Sequence, residues 1–555
     1  MKNIKNILNI KTVLFLCLSV ILFNACQADE QVFEKTRLFR PVLSENLTAE
    51  GNVIIVNMGK LKAAIGYTLE VSRDTFKTID YTIKTDTNYV KINEELIGEG
   101  LFWNTLYQIR ATAHADDPQY DSKISDLGNV QTERFPTILN IPATYDVTDI
   151  AARVTWTVAG DAVTSMKVFA GDDLKLKTPL FPETVVTANE QLAGESFVYG
   201  LLPDTKYQIA IYSGTTLRGW VDYTTRVADI DPNGPGVIDI RADTSPSAID
   251  NALAIAPEGA TILVKRGMTY DMPSYAFNKS VTIRAAYGFG EKKAKLYKDG
   301  NMFIAPNTNI NHIRFIDLEI RGKNYAANYV FNPNQNNTII NELTFDNCKI
   351  GTVRGIVRLR GTNTSINTYE IKNSVVDSIG ATSANYGLLT CDTNPGTPAT
   401  ANVKNIKLTN STFNKIPLLI ASRNNSESIQ IEGCTFANVT TYFRYNGGTG
   451  NNNVTNGISI KNSIFGHAWD ETGAATTWTS TGINGGLAST SFDVGNCYTT
   501  SDITWSNEIP NLTPKTYSKG QNDLWVDPQT NNFNFKDKSF VGRITAGDPR
   551  WRLKL

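Results

Sequence analysis

Histidine is scarce in this 555-residue chain. His114, His312 and His467 are the three, and they lie too far apart to suggest a local metal motif. Cysteine numbers six, with no C-x-x-C pair, so a zinc site is not indicated. An excess of either charge is also missing: Lys+Arg is 53, Asp+Glu is 54, and the net charge is -1. That balance excludes a strongly basic nucleic-acid binder and an acidic disordered chain. No apolar run reaches the ~20 residues of a spanning helix. What is present is 41% hydrophobic content, enough for real cores, with 40 glycines and abundant asparagine. Charged residues make up only 19%. This is the composition of an extracellular β protein rich in turns. At ~100–200 residues per domain, the length suggests three or four domains.

The N-terminus reads as a targeting segment. Lys2, Lys5 and Lys11 precede an apolar run from Val13 to Phe23, and Asn24-Ala25-Cys26 follows. A basic region, a short apolar stretch and a small residue before Cys resemble a bacterial lipoprotein signal. The resemblance implies a signal peptide over 1–25, lipidation at Cys26 and an outer-membrane, cell-surface location. Residues 26–33 are then a tether. Gln27-Ala28-Asp29-Glu30 is similar to the acidic export signal of surface lipoproteins in Bacteroidota.

Two β modules are expected over 34–135 and 136–227. Tyr67-Thr68-Leu69-Glu70-Val71 and Ala152-Arg153-Val154-Thr155-Trp156-Thr157-Val158 alternate apolar and polar residues, so each strand can bury one face. Leu101-Phe102-Trp103-Asn104-Thr105-Leu106-Tyr107-Gln108-Ile109 aligns with Leu201-Leu202-Pro203-Asp204-Thr205-Lys206-Tyr207-Gln208-Ile209. This repeat resembles the L-x-P-x-T-x-Y signature of fibronectin type III domains, in which the Tyr packs at a corner. Trp103 departs from it where Pro is usual. Tyr107, Tyr207 and Trp156 are therefore core candidates. Asp231-Pro232-Asn233-Gly234-Pro235-Gly236 marks a linker over 228–240.

From 241 to 555 the pattern is that of a solenoid. Residues 249–264 combine a short amphipathic helix with a buried strand, and resemble the start of right-handed parallel β-helix proteins of the pectate-lyase-like superfamily. A motif then recurs: Phe345-Asp346-Asn347-Cys348, Ile371-Lys372-Asn373-Ser374, Leu408-Thr409-Asn410-Ser411, Ile431-Glu432-Gly433-Cys434 and Ile460-Lys461-Asn462-Ser463. Such spacing suits solenoid coils. Asn or Gly tolerates a left-handed turn, and stacked Asn side chains can hydrogen-bond along the ladder. Cys348, Cys434 and Cys497 share a column with Ser374, Ser411 and Ser463, as small side chains stacked inside the coils. A disulfide between neighbouring coils stays open. Cys17 lies in the signal and Cys391 in another column. Residues 524–551, with Trp525 and Trp551, are expected to cover the last coil. The fold class is thus all-β: two fibronectin type III-like sandwiches, then a right-handed parallel β-helix.

A second set of strands supplies the candidate site. Aligning 302–306, 329–333, 356–360, 387–391, 418–422 and 442–446 places an apolar second column inward. Strand alternation then turns Tyr329, Phe331, Arg358, Arg360, Tyr442, Arg444 and Asn446 outward, with Asp392 and Arg423 at the adjacent turn. Aromatic faces can cover the C–H faces of sugar rings, and Arg forks suit carboxylates. An acidic, uronate-containing polysaccharide is the expected ligand.

The whole mature chain resembles Bacteroidota surface lipoproteins that join fibronectin type III modules to a pectate-lyase-like β-helix. That resemblance implies polysaccharide capture beside glycan-uptake proteins, with no cofactor and no nucleic-acid partner. A polysaccharide lyase acting by β-elimination is the alternative. Related lyases usually use Ca²⁺ held by several acids, and this face offers Asp392 but no acidic cluster. Arg358 or Arg360 would then neutralise charge, with Arg444 or Arg423 as base. A glycoside hydrolase needs paired carboxylates at a defined separation. The solenoid holds no Asp-Asp pair; Asp116-Asp117 and Asp172-Asp173 fall in the front modules. An adhesive or structural protein that binds another protein is the third reading. Trp469 and Trp478, in an expected loop from Gly466 to Gly486, are read as packing rather than stacking on sugar.

Overall fold

The computed structural model describes residues 35–298, 300–381, 386–392, 401–447 and 452–553. The signal segment with Cys17, the tether and the Cys26 lipidation site lie outside the described residues. The chain divides into two compact units.

The first unit holds residues up to 139, 156–193 and 207–221. Its first seven strands are β1 (Thr48–Glu50), β2 (Val53–Asn57), β3 (Gly66–Ser72), β4 (Tyr81–Thr85), β5 (Tyr89–Ile92), β6 (Leu106–His114) and β7 (Ser125–Gln131). They form sheets of order β1-β2-β5 and β4-β3-β6-β7, all antiparallel. Alternation buries Ile54, Val56, Leu69, Val71, Ile109 and Ala111 between them. The Phe102 N–H donates to the Tyr107 hydroxyl at 2.9 Å, so this tyrosine closes a corner at the head of β6. The corner is the one that the resemblance to fibronectin type III domains implies. A further four-stranded sheet, most of it in this unit, runs in the order Thr184–Val185, Ser165–Ala170, Lys206–Ser213, Thr216–Thr224.

The second unit holds 140–155, 194–206 and 222–555. Most of it is a β-helix-like region of parallel sheets. One sheet has ten strands, from Val237–Asp239 to Phe492–Gly495, and the other has fifteen. The helix Ala248–Ile255 opens the region and buries Ile249 and Leu253, as its apolar spacing predicts. A typical coil runs up Ala401–Thr409, turns at Asn410, and continues along Thr412–Ser422. Left-handed residues stack at that turn: Asp317, Asn347, Asn373, Asn410, Gly433, Asn462 and Asn496, with φ from 50° to 61°. Their amides link coils, with Asn347 donating to Asp317 at 2.9 Å and Asn496 to Asn462 at 2.7 Å. A second left-handed column, Thr352, Ser378, Lys415 and Asn438, bends the following strands.

Inside, the predicted small-residue column is present. The Cys348 N–H donates to Ser374 Oγ at 2.9 Å, and the Ser374 N–H to Ser411 Oγ at 3.0 Å. Cys348, Cys391, Cys434 and Cys497 are free and buried. Phe413, Phe436 and Phe465 stack with centroids 5.3 and 5.2 Å apart.

The C-terminal segment, expected to cover the last coil, packs along the side of several coils instead. It runs back along one flank, where Leu524, Trp525, Phe533 and Phe535 pack against Ala437, Ile464 and Tyr498. Trp551 Nε1 donates to Thr412 Oγ1 at 2.8 Å, and Asn414 donates to the Pro528 carbonyl at 2.7 Å.

Candidate functional site

After each bend the chain enters a third run of strands. These are β8 (Tyr329–Phe331), β9 (Gly355–Leu359), β10 (Leu389–Cys391), β11 (Thr412–Ser422), β12 (Thr435–Arg444), β13 (Trp478–Ile483) and β14 (Ile503–Asn507). They pair in that order, and the last halves of β11 and β12 belong to this ladder. Phe331, Val357, Leu389, Ile420, Phe443 and Ile483 are cross-strand neighbours. The next column is Arg358, Thr390, Ala421 and Arg444.

This register differs by one residue, at several coils, from the alignment predicted by sequence. A one-residue slip moves a side chain to the other face. Phe331 therefore packs in the core against Phe277 and Phe315, at 5.6 and 5.8 Å. Tyr442 is also a core residue, with Phe436 at 5.5 Å and Phe465 at 5.4 Å, and its buried hydroxyl has no partner among the described residues. Neither presents a face to a ligand. Tyr329 is buried as well. Its ring lies so close to Gly355 that a Cβ there would sit 2.7 Å from it. Arg354 covers it at 5.7 Å, and Tyr386 meets it edge-on at 6.5 Å.

Of the remaining predicted residues, Arg423, Arg444 and Asn446 gather at one cleft. Thr390, Ala421, Arg423, Arg444, Asn446, Asn484 and Tyr386 line a cleft of about 690 Å³ at the exit ends of β10 to β13. Small Thr390 and Ala421 lie on its floor, and guanidinium groups stand at its sides. Arg358 Nε and Nη2 donate to Asp392 Oδ2 at 3.0 and 2.6 Å, and Nη2 also donates to the Tyr386 hydroxyl at 3.1 Å. Its guanidinium lies 4.2 Å from the Tyr386 ring centroid. Arg423 Nε is 3.2 Å from Asp392 Oδ1. Asp392 is 3% exposed and both its oxygens are engaged. It orients two arginines rather than meeting a ligand. Arg360 does not line the cleft, and its buried Nε has no partner among the described residues.

Arg444 is half-buried, and its affinity for a proton is lowered, first by burial and then by the neighbouring Arg423 charge. Sequence reasoning missed Tyr386, Arg354 and Asn484. Tyr386 precedes the apolar run of β10 and carries no pattern of its own, so only the fold reveals its contact with Arg358.

The expected loop from Gly466 to Gly486 is two things. Residues 466–477 are loop, and β13 begins at Trp478. Trp478 stacks on His467 with centroids 4.4 Å apart, which is packing. Trp469 stays partly exposed and meets Tyr325 edge-on at 6.1 Å.

Among the described residues, no three His, Cys, Asp or Glu side chains gather as metal ligands. A calcium cage needs six to eight oxygens. Asp392, tied to two arginines, does not fit one.

No curated protein matches the chain. Among solved structures, chicken CNTN1 FN1–FN3 domains are similar at 14% identity, over 35% of this chain and 69% of that one, with a TM-score of 0.16. The two-domain fibronectin type III segment of chicken tenascin is similar at 16% identity, over 34% and 99%, with a TM-score of 0.15. Residues 268–415 match the family model described as domain of unknown function DUF4957, and residues 429–551 match that of DUF5123.

Proposed function

We propose that this protein is a cell-surface lipoprotein that captures an acidic, uronate-containing polysaccharide for uptake. In this reading Cys26 carries the outer-membrane anchor, the fibronectin type III-like modules are spacers, and a right-handed, pectate-lyase-like β-helix presents the ligand site. Glycan-uptake proteins are the natural partners. The observation that carries the reading is the cleft itself. Arg423 and Arg444 flank a floor of small residues, and Asp392 and Tyr386 hold Arg358 beside it. Guanidinium forks bind carboxylates bidentately, and an ordered fork loses little freedom on binding.

One observation favours a second reading, a lyase. β-Elimination needs a group to neutralise the uronate carboxylate and a base to take the C5 proton. Arg444, with its proton affinity lowered by burial and by Arg423, is the candidate base. Arg358, held by Asp392, is a candidate neutraliser.

A single mixing experiment separates the two. The lipid-free chain, residues 27–555, is incubated with a panel of uronate polysaccharides. Retention in an affinity gel without ultraviolet absorbance from unsaturated uronate supports capture. Rising absorbance that Arg444→Lys abolishes supports the lyase. Retention unchanged in Arg423→Ala and Arg444→Ala would remove the cleft from either role.

A further inference from the structure

The cleft lies toward the exit ends of the strand ladder, with Tyr386 reaching it from the entry side of β10. A different structure occupies the entry ends. Residues 323–328 lead into β8, and residues 466–477 lead into β13. Between these strands lie β9, β10, β11 and β12, so five ladder steps of about 4.8 Å separate the two loops by roughly 24 Å. The loops nevertheless meet. The Tyr325 hydroxyl donates to Glu471 Oε1 at 2.7 Å, and the Tyr325 ring meets Trp469 edge-on at 6.1 Å. β11 and β12 pass straight through their bends, and only Arg354 separates Lys349–Val353 from β9. The contact therefore crosses the entry side of these coils.

The ladder thus has two rims of different chemistry. The exit rim carries guanidinium groups. The entry rim carries partly exposed aromatic rings, held in place by a hydrogen bond between residues 146 apart in sequence. Strands of three to six residues lie between the rims, a width of about 10–20 Å. One unbranched sugar chain lying along the exit rim does not reach across that width.

We propose that Trp469 and Tyr325 form an aromatic contact rim, and that the ligand is a branched acidic polysaccharide. Its charged backbone meets the arginine cleft, and a neutral side branch crosses the floor to rest on Trp469. This rests on the capture reading above. Stacking suits a neutral sugar, because the ring face of Trp covers apolar C–H groups and asks for no charge. Tyr325 is a positioning residue, since its hydroxyl holds the loop that carries Trp469.

The test compares a linear polyuronate with the same backbone bearing neutral side chains, using the full mature chain and biolayer interferometry. Wild type should bind the branched polymer about tenfold more tightly, one stacking contact in free-energy terms. Trp469→Ala should bring the branched polymer down to the affinity of the linear one. Trp469→Phe should keep much of the difference, which separates a lost contact from a damaged fold. Tyr325→Phe should lose part of it. Equal binding of both polymers by wild type overturns this inference alone, as does a preference that survives Trp469→Ala. Binding of neither polymer overturns the capture reading, and this inference with it.

Discussion

Asn410 holds φ at 50°, a region that costs most residues about 1–2 kcal/mol. Gly433 occupies the equivalent place one coil on, at φ 61°. The column therefore selects for backbone permissiveness before side-chain chemistry. Asn410→Ala should destabilise the protein by about 1–2 kcal/mol, and Asn410→Gly should cost far less, as read by urea midpoints. His467 sets a pH dependence. Burial pushes its proton affinity down from the usual value of 6.5, while the Ala468 carbonyl, Asp502 and Asp470 pull the other way. Between the lowered value and 6.5, the unfolded chain holds a proton that the folded chain lacks. Stability therefore rises with pH through that window and is lost on acidification. His467→Gln should flatten the change in urea midpoint between about pH 7.5 and about pH 5.5.

At the scale of the strand, the stacked phenylalanines tie coils together. Phe436 touches Phe413, Phe465 and Tyr442 at once. Phe436→Ala removes all three contacts and should cost about 3–5 kcal/mol, visible in thermal unfolding. This stack also marks what the sequence made legible. Strands that precede a left-handed Asn or Gly carry their register with them, because the turn residue and the small Cys or Ser after it recur together. Hence the Cys348, Ser374 and Ser411 column could be read directly. The strands after the second bend have no such marker. Tyr329, Val330 and Phe331 are all buried, as are Tyr442 and Phe443. With no polar residue alternating, nothing in the sequence distinguishes one register from its neighbour, and simple alternation turns Phe331 and Tyr442 to the wrong face. Arg358, Arg423, Arg444 and Asn446 survived the slip because several long polar side chains cluster where these strands end. The bonds that tie Asp392 to Arg358 and Arg423 cross coils, so local pattern could not have shown that its oxygens are taken.

At the scale of the second unit, a stack of coils is stabilised chiefly by neighbour-to-neighbour contact. The C-terminal segment breaks that rule. It reaches the Asn373 carbonyl through Arg550, Thr412 through Trp551 and Asp548, and the Asn462 carbonyl through the Gly547 N–H. Ending the chain at residue 523 should expose Ala437, Ile464 and Tyr498, with dye binding to the bared flank and earlier melting. The strap also has a mechanical consequence when the chain is pulled by its two ends. Load applied at the C-terminus meets this strap first, and its contacts across several coils resist in parallel. Once it has peeled away, the coils are left to unzip in series. A single-molecule pulling trace should show one high-force rupture, then a staircase of weaker steps, each releasing about 80–130 Å of chain. The strap is in effect a mechanical fuse. It sets the force below which the coils keep their shape.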